Sequence, residues 1–70
     1  MSSKYNLESE MFDIITNIYI SYSQRDKASF DAFLDILEEL NDEYEITYGN
    51  PRYSKEELLN LHSKKWEFYA

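Results

Sequence analysis

Seventy residues without a cysteine make at most one domain, residues 1–70, and exclude a disulfide framework or thiolate metal site as a source of stability. The formal charge of −7, from 14 acidic and 7 basic residues, disfavours direct contact with nucleic-acid phosphates or a membrane surface and favours a basic protein partner. A single glycine leaves no phosphate-cradling loop or dinucleotide fingerprint, and no apolar run approaches membrane-spanning length.

The start, Met1 to Asn6, lacks the apolar run of a secretory signal, so the expected location is cytoplasmic. Seven tyrosines, four phenylalanines and one tryptophan must supply most of the packing. In so short a chain, burial barely offsets chain entropy, so a homodimer stands beside the monomer as an expectation.

From Leu7 to Ser23, Leu7, Met11, Ile14, Ile15, Ile18 and Tyr22 recur at helical spacing, with Phe12 and Tyr19 widening the face and Ile20 opposite it. Asn6 or Ser9 is the expected cap. The β-branched and aromatic residues at 17–23 keep a strand open as the alternative. Asp26 then caps a second helix over about 27–41, whose stripe is Phe30, Phe33, Leu34, Leu37 and Leu40.

Residues 43–50 alternate, with Tyr44, Ile46 and Tyr48 against Glu45 and Thr47, which reads as a short extended segment ending in the turn Tyr48-Gly49-Asn50-Pro51. A third helix, about 54–68, opens on the capping box Ser54-Lys55-Glu56-Glu57, with Tyr53 and Leu58 placed as a hydrophobic staple. Leu58, Leu61, His62 and Tyr69 share a face flanked by Leu59, Trp66 and Phe68. Lys65 falls within that face, so either its stem is buried or the helix loosens before Trp66.

The expected fold is therefore all-α, a small three-helix domain with an extended segment near 43–50. The alternative is a small α+β domain with strands near 17–23 and 44–48. The string Ile18 to Asp26, reading ISYSQRD from Ile20, resembles the first strand and loop of a TIR domain. The resemblance covers nine residues and implies the strand alternative; that family's full parallel sheet needs a longer chain, and its catalytic glutamate context has no counterpart here.

The best-organised polar feature lies on the second helix. Asp31, Asp35, Glu38 and Asp42, spaced four, three and four apart, align opposite the apolar stripe, with Glu39 beside them and Glu43 and Glu45 following. The row runs roughly 16 Å with neighbours about 5–6 Å apart, a scale similar to phosphate spacing on a nucleic-acid strand. No lysine or arginine lies between Lys27 and Arg52, although like charges one turn apart repel. The bland reading is a solvated face. The functional one is a nucleic-acid mimic that occupies the basic groove of another protein, with Tyr48 and Tyr53 beside it as aromatic anchors.

Carboxylates splayed from one helix cannot wrap a cation, and no calcium-loop glycine accompanies them, so no metal or other cofactor is expected. No catalytic residue is expected either. His62 reads as a core or interface residue, and no Gly-x-Ser-x-Gly turn exists for it to serve. The small basic cluster Arg52, Lys55, Lys64 and Lys65 reads mainly as compensation for the third helix. The expected function is thus a small acidic binding protein that inhibits or regulates a basic, nucleic-acid-processing protein, similar in composition to viral or mobile-element antagonists. The alternative is a helical homo-oligomer with an aromatic interface.

Overall fold

The computed structural model describes residues 4–69, without the side chains of Lys4, Tyr5, Trp66 and Tyr69, so the roles expected of Trp66 and Tyr69 lie outside the described residues. Three helices follow in order, α1 (Lys4–Ser23), α2 (Lys27–Tyr48) and α3 (Lys55–Ser63), and a 3₁₀ segment (Lys64–Tyr69) continues α3. There is no strand among the described residues, and the Cα atoms span 41 × 21 × 13 Å. Among the described residues no helix is long and apolar enough to cross a membrane.

Helices α1 and α2 form an antiparallel hairpin joined by a tight turn. Leu7, Met11 and Ile18 of α1 meet Phe30, Leu34, Leu37 and Tyr44 of α2 in one buried cluster, which Leu61 of α3 completes. Ile14, Ile15, Tyr22, Phe33 and Leu40 pack half-buried around it, as the helical stripes require. Phe12 and Tyr19 are exposed rather than widening the buried face.

The strand alternative at 17–23 fails for a geometric reason. An extended chain would put Ile18 and Ile20 on the same face, yet Ile18 is fully buried while Ile20 is 46% exposed. The nine residues that resemble a TIR strand and loop are the end of a helix and its cap.

Residues 43–50 are a correction of the same kind. They are not extended, because α2 continues to Tyr48. The helical period places Tyr44 inward, one turn from Asn41 and two from Leu37, and it leaves Ile46 85% exposed. Tyr44 gains an anchor there, its hydroxyl donating to Glu8 Oε1 at 2.9 Å. Gly49 ends the helix in the left-handed region at φ 88°, its N–H donating to the Glu45 carbonyl at 2.8 Å.

The start of α1 also differs from expectation. The helix is already formed at Lys4, so neither Asn6 nor Ser9 caps it. Its C-terminus is a Schellman motif, with Asp26 N–H donating to the Ser21 carbonyl and Arg25 N–H to that of Tyr22. Arg25, at φ 59°, occupies the left-handed position that glycine usually fills. Asp26 is the expected cap of α2, accepting from the Ser29 N–H at 3.1 Å and the Ser29 hydroxyl at 2.8 Å.

Ser54 caps α3, its Oγ accepting from the Glu57 N–H at 3.2 Å. The reciprocal half of the box closes differently, because the Ser54 hydroxyl itself donates to Glu57 Oε1 at 3.4 Å. Ser54→Ala should cost about 1 kcal/mol, visible as a lower urea midpoint at unchanged m. A midpoint equal to the wild type would mean that the staple alone starts this helix.

The helix does loosen near Lys65, passing to 3₁₀ geometry at Lys64. That change brings Lys65 over α2 and seats Phe68 against Tyr22 and Phe30.

Candidate protein-binding surface

Three polar contacts fix how α3 and its 3₁₀ extension run antiparallel to α2. Asn41, 4% exposed, donates from Nδ2 to the Tyr53 carbonyl at 3.0 Å and accepts from the Tyr53 N–H at 2.9 Å. One α2 side chain thus satisfies both backbone groups of the residue that leads into α3. Next, His62 Nε2–H donates to Glu38 Oε2 at 2.9 Å. Last, Asp31 is held by Lys27 Nζ at 2.9 Å and lies 3.5 Å from Lys65 Nζ.

These contacts divide the expected carboxylate row. Asp31 and Glu38 are half-buried and paired, and so act as joints between helices. Asp35, Glu39, Asp42, Glu43 and Glu45 are exposed, and among the described residues their side chains have no hydrogen-bond or ion-pair partner. Lys27 and Lys65 supply cations to Asp31 and His62 supplies a hydrogen-bond donor to Glu38, so partners reach only two of the seven carboxylates.

Tyr48 and Tyr53 are half-buried. The Tyr48 ring packs tilted against that of Tyr44, with centroids 4.8 Å apart, and the Tyr53 ring lies 5.0 Å from the Arg52 guanidinium. Both are partly committed to the fold. More exposed apolar area belongs to Phe12 (66%), Leu59 (66%) and Ile46 (85%), none of which was expected as a contact residue. Leu59 was legible as a flank of its helix; Ile46 was hidden by the extended reading.

The outward carboxylates continue into a groove of about 430 Å³ between α2 and α3. Glu38, Asp42 and Glu45 form one wall, while Tyr53, Leu58 and Leu59 supply an apolar floor. The His62–Glu38 pair opens onto it, and among the described residues no serine, threonine or cysteine lines the groove beside that pair. Among the described residues no group of three His, Asp or Glu side chains could hold a metal ion.

The lysine hydrogen bond from Lys27, aided by the charge of Lys65, holds the Asp31 carboxyl below its ordinary pKa, against the opposing effect of partial burial. The Ser29 hydroxyl and N–H hold Asp26 down as well. Tyr22 moves upward, chiefly because its hydroxyl donates to Glu67. A folded-state pKa below the unfolded value contributes stability above the unfolded value, near pH 4, and loses it as pH falls through the folded one. The difference in melting temperature between wild type and Asp31→Asn should therefore be largest above about pH 4 and shrink as the solution is acidified. A pH-independent difference would contradict the pairing.

Compared with known proteins, the chain matches no family model, no curated protein and no solved structure.

Proposed function

We propose that the chain acts by binding rather than catalysis, as an acidic protein that occupies the basic, nucleic-acid-binding surface of another protein and thereby inhibits or regulates it. The observation that carries this reading is the outer surface of α2. Asp35, Glu39, Asp42, Glu43 and Glu45 are exposed there, and among the described residues none of them forms an ion pair. A helix holds them at fixed intervals, so they meet a basic surface without first being ordered.

The first test is retention of proteins from the native cell on the immobilised chain at low and high salt. Exposed charges are screened within a Debye length of about 8–10 Å, so a partner held by these carboxylates leaves at high salt. Retention that resists salt contradicts the reading.

A second reading, a homo-oligomer with an aromatic interface, is favoured by Phe12 and Tyr19. They lie seven residues apart on one face of α1 and are 66% and 50% exposed. Analytical ultracentrifugation at micromolar concentration separates the two, since a monomer removes the oligomer.

A further inference from the structure

The groove between α2 and α3 sets two surfaces side by side. One wall is anionic and the floor is apolar; Lys55 also lines the groove, but against Glu38, Asp42 and Glu45 it leaves the lining net negative. Glu38, Asp42 and Glu45 follow one another four and three residues apart, so along the helix axis they are spaced by about 6 and 4.5 Å. An extended peptide repeats its side chains on one face every 6.6–6.8 Å or so and falls out of step with that wall. A second helix laid along α2 has the same rise and stays in step.

The floor is open to a partner. Leu59 is 66% exposed although it adjoins Leu58, which packs on the core, and Tyr53 is pinned at the groove's end by Asn41. The volume of about 430 Å³ falls within the range of specific ligand sites. It admits side chains from one face of a helix but not the helix itself.

We propose that this groove receives an amphipathic basic helix of the partner. Lysines or arginines spaced four and three apart face Asp42, Glu45 and the oxygen of Glu38 that His62 does not engage, and apolar side chains on the adjoining flank rest on Leu58 and Leu59. The charge of the wall selects a cationic helix, and the floor selects among cationic helices by the position of their apolar residues. This deepens the acidic-binder reading and rests on it. It adds a requirement that simple charge attraction does not make, namely that pattern matters as well as composition.

The test uses the whole chain and two synthetic peptides of identical composition. One carries lysines four and three apart, each followed by leucine; the other is scrambled. Affinities are measured by fluorescence anisotropy at low salt for the wild type, Leu59→Asp and Leu59→Ala, with circular dichroism confirming unchanged helix content.

The expected result is that the patterned peptide binds wild type more tightly than the scrambled one. Each Leu59 variant should lose about tenfold of that affinity, the effect of removing one well-placed contact. Leu59→Asp is the sharper variant because it adds negative charge, so attraction by charge alone would leave affinity equal or higher. Equal binding of the two peptides, or undiminished binding by both Leu59 variants, overturns the groove proposal. If that binding is still lost at high salt, the acidic-binder reading survives. Absence of binding by either peptide at low salt overturns both.

Discussion

Phe30→Ala is expected to bring the chain to the edge of unfolding, with its thermal transition lowered toward room temperature. Phe30 is fully buried and sits where α1, α2 and the 3₁₀ segment meet. Its ring centroid lies 6.3 Å from that of Tyr22 on α1 and 5.4 Å from that of Phe68 on the 3₁₀ segment, while Tyr22 and Phe68 meet edge-on at 5.9 Å. Truncating a buried phenylalanine costs about 3–5 kcal/mol through lost burial and the cavity left behind. A domain of this length holds on the order of 5 kcal/mol in all, so the substitution removes most of the margin. Far-ultraviolet circular dichroism should show the loss directly, with Phe30→Leu retaining much of the helix. A cooperative melt of Phe30→Ala close to that of the wild type would mean that the core lies elsewhere.

The second large effect is on binding. Reversing Asp35, Glu39, Asp42 and Glu43 to lysine together should weaken the partner complex by on the order of a hundredfold at low salt, because each change replaces an attraction with a repulsion. Most of the loss should appear in the association rate and should narrow as salt is added. These four positions suit the test because they are exposed and outside the joints between helices. Lysine is also a good helix former, and the variant exchanges one set of like-charge repulsions for another. Reversing Asp31 or Glu38 would be less informative, since it would also break the contacts to Lys27, Lys65 and His62. An unchanged association rate in the quadruple variant would remove α2 from the interface.

The parts of this fold that were legible in the sequence are those where periodicity and local chemistry agree. Phe30, Leu34 and Leu37 are fully buried as their stripe requires, and the oxygens of Asp26 and Ser54 cap the helices they precede. Residues 43–48 misled because Tyr44, Ile46 and Tyr48 satisfy a period of two as well as a helical turn between Tyr44 and Tyr48. The packing of Tyr44 against the core and its contact with Glu8, 36 residues away, decide between them. The end of α1 was obscured because Arg25 occupies a position where glycine is the usual signal.

The acidic surface was legible in outline but not in its division of labour. Helical spacing aligned Asp31, Asp35, Glu38 and Asp42. Which of them stay exposed and unpaired depends on His62 and Lys65, which reach α2 from 24 and 34 residues away. Contacts at that separation leave no periodic trace. Nor does the sequence place Leu59 opposite Asp42 and Glu45, since the groove exists only once Asn41 has fixed the start of α3.

The most direct test of the central claim is competition. With the retained partner isolated, its complex with this chain should be displaced by a short oligonucleotide that the partner binds, and displaced more readily as the oligonucleotide concentration rises. Formation of a stable complex containing all three molecules would contradict the account, because the acidic surface would then lie somewhere other than the partner's nucleic-acid groove.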